Sequence, residues 1–143
     1  MNMVNIGQFP GKPQPSKLHG SITKVLLVDV DATLMVNDCE PRLKFGEFGQ
    51  MVEGAADCLR ELSAAGWFIS IYTTRKASRE LIEWLRFNGA TWDTVNSNEH
   101  NRHDGSFKPE CGVMFDDRAW PMCGKQWTPE VWRAATDGLL SAG

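Results

Sequence analysis

Apolar positions along the chain gather into three short unbroken runs: Lys24-Val25-Leu26-Leu27-Val28-Asp29, Trp67-Phe68-Ile69-Ser70-Ile71-Tyr72 and Gly112-Val113-Met114-Phe115. Runs of this length without alternation suit strands buried on both faces, the signature of a parallel sheet. Between them the spacing lengthens to a helical period. Val52, Ala55, Leu59 and Leu62 predict a helix over 51–65, stopped by Gly66. Leu81, Ile82 and Leu85 predict a second over 77–88, stopped by Gly89. Thr128-Pro129-Glu130 supplies a capping hydroxyl and a proline at the first helical position, opening a third helix that runs to about Leu140. A weaker strand is expected at 91–95, and the stretch 96–106 is polar and turn-rich.

Strand alternating with helix predicts the α/β class, a three-layer Rossmann-like parallel sheet with helices on both faces. In such sheets the site lies beyond the carboxyl ends of the strands. The polar residues with chemistry fall at those ends: Asp29 and Asp31, then Thr73, then Asp116 and Asp117. Residues 1–20 carry Pro10, Pro13 and Pro15 with Gly7, Gly11 and Gly20, which predicts an extended arm. The remainder, 21–143, is expected to form a single domain.

Composition narrows the function classes. A formal charge of −3 argues against a broadly basic nucleic-acid surface, although a local basic groove stays open. No apolar run approaches the roughly 18–20 residues of a membrane span, and the first residues lack the charged-then-apolar order of a secretory signal. The four cysteines show no CxxC pair. The expectation is a cytoplasmic protein with reduced thiols and no membrane partner.

Asp29 and Asp31 stand two apart at a strand end, so their side chains project to the same side. Close carboxylates repel, and such a pair usually comes with a cation or a shared proton. Asp116 brings a third carboxylate. Clustered oxygen ligands with room for waters favour Mg²⁺ over Zn²⁺. Thr73 offers a hydroxyl and a backbone N–H at a strand-to-helix turn, where anions are attracted, and Lys108 can bring positive charge. Together these groups describe a phosphoryl-transfer site. Each has a plainer reading: Thr73 as a helix cap, Lys108 as a solvated lysine, and Asp117 as a partner of Arg118. Arg75, Lys76 and Arg79 fit a solvated helix face as well as a substrate phosphate. His100 and His103 with Cys111 fall short of a tetrahedral zinc set. Trp84, Trp92, Trp120, Trp127 and Trp132 fit packing better than base stacking.

These residues resemble the haloacid dehalogenase-like superfamily of aspartate-nucleophile phosphatases. Val28-Asp29-Val30-Asp31-Ala32-Thr33-Leu34 is similar to its first motif, Ile71-Tyr72-Thr73 to the second, Lys108 to the third, and Val113-Met114-Phe115-Asp116-Asp117 to the fourth. The motifs come in order over residues 24 to 118. Tyr72-Thr73-Thr74-Arg75 and Phe115-Asp116-Asp117-Arg118-Ala119 resemble small IDDR-type phosphatases without a cap domain, and polynucleotide-kinase-type 3′-phosphatase domains.

The resemblance implies that Asp29 attacks phosphorus and forms an aspartyl-phosphate. Asp31 would protonate the leaving oxygen and then activate water. The Asp29 and Asp116 carboxylates and the Asp31 backbone carbonyl would surround Mg²⁺. Thr73 and Lys108 would hold the phosphoryl group, with Asp117 in the metal's shell or just behind it and Arg75 in a supporting position. The motif departs from its family at Ala32, where Gly is usual, and a methyl group there crowds a turn that Gly accommodates easily. The segments after Thr33 and after Asn88 are too short for a separate cap domain. Such an open site resembles members that act on large substrates or that close the site as a homo-oligomer. The expected activity is Mg²⁺-dependent hydrolysis of a phosphomonoester, on a small molecule or a nucleic-acid end. The alternatives are a nucleic-acid 3′-phosphatase and a weakly active module that binds phosphate and metal.

Overall fold

The computed structural model describes residues 24–37, 48–75, 77–97, 111–119 and 122–142. The expected arm at 1–20, Lys108, His100, His103 and Trp120 lie outside the described residues. In chain order the elements are β1 (Val25–Val28), α1 (Ala55–Ala64), β2 (Phe68–Ile71), α2 (Arg79–Phe87), β3 (Thr94–Val95), β4 (Val113–Phe115) and α3 (Pro129–Ala142). The strands form one sheet in the order β3-β2-β1-β4, with every pairing parallel. Val28 lies opposite Ile71 on one side and Phe115 on the other, so three strands end level with one another.

This is the α/β class expected from the sequence, and the strand order explains where a site can form. The chain leaves β1 for β2 on one side and later returns to β4 on the other. A crevice opens at such a reversal, beyond the carboxyl ends.

Alternation along the strands sorts the core. Leu26, Val28, Ile69, Ile71, Val95 and Phe115 join a continuous apolar cluster with Leu59 and Leu62 of α1, Leu81 and Leu85 of α2, and Trp132 of α3. Val25, Leu27, Phe68 and Ser70 point the other way and are buried too. Both faces of the central strands are therefore shielded, as the unalternating runs required. Each fully buried Leu or Ile contributes roughly 1.5–3 kcal/mol through apolar area removed from water.

Element ends show where local pattern and tertiary packing part. The helix expected over 51–65 starts four residues later, at Ala55. Met51 and Val52 instead pair back across the chain: the Val52 N–H donates to the Leu34 carbonyl at 2.9 Å, and the Val36 N–H to that of Gln50 at 2.8 Å. Gly54, at φ 85°, holds a left-handed conformation that ends this pairing and cannot belong to a right-handed helix. At the other end Gly66 is the expected stop. The Trp67 N–H reaches the Leu62 carbonyl and the Gly66 N–H that of Ser63, the two bonds of a Schellman cap. Helix α2 opens at Ser78, whose Oγ accepts from the Leu81 N–H at 3.2 Å. In α3 the Thr128 hydroxyl accepts from the Val131 N–H, also at 3.2 Å, as its capping position predicts. Among the described residues no helix is long and apolar enough to cross a membrane.

Candidate active site

Beyond the strand ends lies an open cavity of about 550 Å³, lined among others by Asp29, Asp31, Thr73, Asp116, Asp117 and Arg118. Parallel strands running to one level place these residues together although 88 positions separate Asp29 from Asp117. The backbone seals the arrangement. The Asp29 N–H donates to the Phe115 carbonyl at 2.9 Å, and the Tyr72 N–H to that of Val28 at 2.9 Å, extending the ladders one residue past each strand.

After Asp29 the chain folds tightly. The Val30 carbonyl accepts from the N–H groups of Thr33, Leu34 and Met35. Ala32 sits at φ 62°, in the left-handed region that costs a non-glycine residue about 1 kcal/mol or more. The methyl group expected to crowd this turn is thus carried in a strained conformation. Tertiary contacts hold it there. The Ala32 carbonyl accepts from the Trp127 N–H at 2.8 Å, and the Thr33 carbonyl from Trp132 Nε1 at 2.7 Å. The buried Thr33 hydroxyl accepts from the Asp117 N–H at 2.9 Å, tying the first turn to the one after β4. Trp127 and Trp132 are buried and packed edge-to-face, with Phe115 against both. The expectation that these tryptophans pack the core holds.

Asp29, Asp116 and Asp117 each offer a carboxylate oxygen, and the three oxygens lie within 4.8 Å of one another. Burial first, then the charge of Asp116 and a hydrogen bond with Asp117, push the Asp29 carboxyl up to about 8 from an ordinary 3.8. Burial also raises Asp117. A carboxyl that clings to its proton this strongly is shielded from water and crowded by other acids. Hard oxygen donors crowded in this way fit an oxygen-seeking divalent cation, which would relieve the repulsion. Asp117, expected either in the metal's shell or just behind it, belongs to the cluster itself.

Asp31 has different company. Arg75 Nε donates to its Oδ2 at 2.9 Å and its Oδ1 at 3.1 Å, and an Arg75 terminal nitrogen reaches Oδ1 at 2.8 Å. Asn37 Nδ2 adds a bond to Oδ1 at 3.1 Å. Arg75 is buried rather than part of a solvated helix face. The Asp31 carboxylate is thus engaged by a guanidinium and an amide, outside the cluster of three.

Thr73 lines the cavity, but its backbone N–H is already used, donating to Asn96 Oδ1 at 2.8 Å. The anion-binding N–H expected there is not available. Its hydroxyl accepts from the Arg75 N–H at 3.0 Å, which leaves the O–H itself to donate toward the cavity. Asn96 also donates through Nδ2 to the Arg75 carbonyl at 3.2 Å. It stands immediately after β3, so the strand-end rule that found Asp29, Thr73 and Asp116 applies to it equally. Reading 96–106 as undifferentiated loop hid it. Gln126 is a second omission. Its Oε1 accepts from the Asn37 N–H at 2.8 Å, while Nε2 donates to the carbonyls of Met35 and Trp127. That strut joins the first-motif loop to the entry of α3, and no local pattern marks it.

No family model matches the chain, and no curated protein does. Among solved structures, a conserved protein from Bacteroides thetaiotaomicron is similar in fold. The superposition has a TM-score of 0.63 over 83% of this chain and 91% of that one, at 20% sequence identity. At that identity the likeness concerns the fold.

Proposed function

We propose that this chain is a Mg²⁺-dependent phosphomonoester hydrolase of the haloacid dehalogenase-like kind, with Asp29 as nucleophile. The observation that carries the reading is the convergence of Asp29, Asp116 and Asp117 at the reversal point of a parallel sheet. Two residues beyond Asp29, a second carboxylate lines the same cavity without joining the cluster.

In this reading the cluster would hold Mg²⁺, which when bound supplies charge neutralisation for the incoming phosphate. The Asp29 carboxylate attacks phosphorus and the bond to the leaving oxygen breaks. Asp31 gives its proton to that oxygen, leaving an aspartyl-phosphate. Asp31 then takes a proton from water, whose oxygen attacks phosphorus, and Asp29 and inorganic phosphate are released. The Thr73 hydroxyl donates to a phosphoryl oxygen. Lys108, expected from the sequence to bring positive charge, would act at the same group.

The test is hydrolysis of p-nitrophenyl phosphate with Mg²⁺ and with EDTA, on wild type and Asp29→Asn together. Turnover should require Mg²⁺ and fall by at least about a thousandfold in the variant, because an amide is nearly isosteric but a poor nucleophile. Turnover that survives in Asp29→Asn, or that ignores EDTA, overturns the reading.

A further inference from the structure

We infer that Arg75 is a positioning residue that holds the Asp31 carboxylate apart from the Asp29–Asp116–Asp117 cluster and aims it for proton transfer. The inference rests on the hydrolase reading above and deepens it.

Asp29 and Asp31 leave the same strand end toward the same cavity, which already collects three carboxylates. Nothing in the local sequence keeps a fourth from turning toward a cation held there. A carboxylate that turns to ligate a cation no longer faces the leaving oxygen or the attacking water, so the two tasks must be separated in space. The ion pair with Arg75 does this. Three of the guanidinium contacts lie between 2.8 and 3.1 Å and together engage both Asp31 oxygens. A planar fork of donors fixes the orientation of a carboxylate as a single ammonium cannot.

Arg75 is itself held from several directions, as an aiming device has to be. Only 7% of its surface is exposed. Its N–H is bonded to the Thr73 hydroxyl and its carbonyl to Asn96. The guanidinium carbon stands 4.9 Å from the centre of the Phe48 ring, a cation–π distance. Phe48 stacks on Trp84 at 5.3 Å, and Trp84 Nε1 donates to the Gly49 carbonyl at 2.9 Å, anchoring the segment that carries Phe48. An arginine needed only for charge balance would not require an aromatic seat and two backbone anchors.

The test uses Arg75→Lys, which keeps the charge and loses the fork, and Arg75→Ala, with thermal melts on both. p-Nitrophenyl phosphate kinetics and calorimetric Mg²⁺ titration without substrate are read in parallel with wild type and Asp29→Asn. In Arg75→Lys, kcat should fall by between about tenfold and a hundredfold with KM little changed, the size expected of a misplaced catalytic group. Mg²⁺ affinity should hold or tighten, because a released carboxylate can only add to the cluster. Millimolar guanidinium should restore part of kcat in Arg75→Ala. Unchanged kcat in a folded Arg75→Lys overturns the inference alone. So does Mg²⁺ affinity that falls in step with kcat, since Arg75 would then support the cluster. A wild type with no Mg²⁺-dependent turnover removes the hydrolase reading, and this inference with it.

Discussion

On the β1–β4 side of the cavity, Asp29, Asp116 and Asp117 crowd their oxygens within 4.8 Å of one another, and burial holds a proton on Asp29 up to about pH 8. On the β2 side, Asp31 lies against a buried guanidinium, with Asn37, Thr73 and Asn96 completing a bonded network. The two sides face one space and share the same strand-end origin. One crowds three carboxyl groups so closely, and shields them so well, that Asp29 keeps its proton far above the ordinary range. The other is internally balanced, which keeps a carboxylate in place whether or not a cation is present. Crowded carboxylates are costly to ionise, whereas a half-buried carboxylate with a fork-shaped partner and an amide is satisfied.

The contrast breaks most readily through cation binding. Asp117→Asn should weaken Mg²⁺ binding by between about tenfold and a hundredfold, as loss of an anionic partner at a metal site typically does. Thr73→Val, on the balanced side, should leave it within about twofold. Calorimetric titration of both variants decides the matter, and equal losses would erase the distinction between the two sides.

A smaller effect is expected in the metal-free protein as pH changes. The Asp29 carboxyl is raised from 3.8 to about 8 in the folded chain, and Asp117 is raised too. Below the ordinary value both folded and unfolded chains carry the proton, and the full contribution to stability is present. Between 3.8 and about 8 the unfolded chain has lost the Asp29 proton while the folded one keeps it, so stability declines as pH rises. Melting temperatures in EDTA should therefore fall from pH 5 to pH 9, and Asp29→Asn should flatten that slope. Added Mg²⁺ should raise the melting temperature more at the alkaline end, where ligation displaces no proton. A wild-type profile that rises with pH would contradict the buried, repelling cluster.

The smallest effect belongs to the turn between the two sides. Ala32→Gly removes the cost of φ 62° but adds freedom to the unfolded chain. The balance is a gain of roughly 0.5 kcal/mol, or one to a few degrees in melting temperature. A loss of stability would show that the Ala32 methyl packs usefully and that the turn is not strained.

Much of this architecture was legible before any coordinates. Unalternating runs at 24–29, 67–72 and 112–115 marked buried strands, and the rule that parallel sheets place sites beyond their carboxyl ends singled out Asp29, Asp31, Thr73, Asp116 and Asp117. The helix start at Ala55 was not legible, because Met51 and Val52 continue the helical spacing yet pair with residues 34–36 instead. Gly54 could have warned of it.

What the chain by itself determined was the class of fold and the list of residues brought to one end of the sheet. Those follow from hydrophobic period and strand direction, which are local properties of the polymer. Only the tertiary structure decided how the carboxylates divide. Asp29 and Asp31 are the same residue type, two positions apart, yet one joins Asp116 and Asp117 and the other pairs with Arg75, 44 positions away. Likewise Asn96 takes the Thr73 N–H and Gln126 straps the first loop to α3. Such pairings depend on distances between segments remote in sequence, and electrostatic and hydrogen-bonding energies fall off over a few ångströms. A one-dimensional pattern carries no information about those distances until the strands have met.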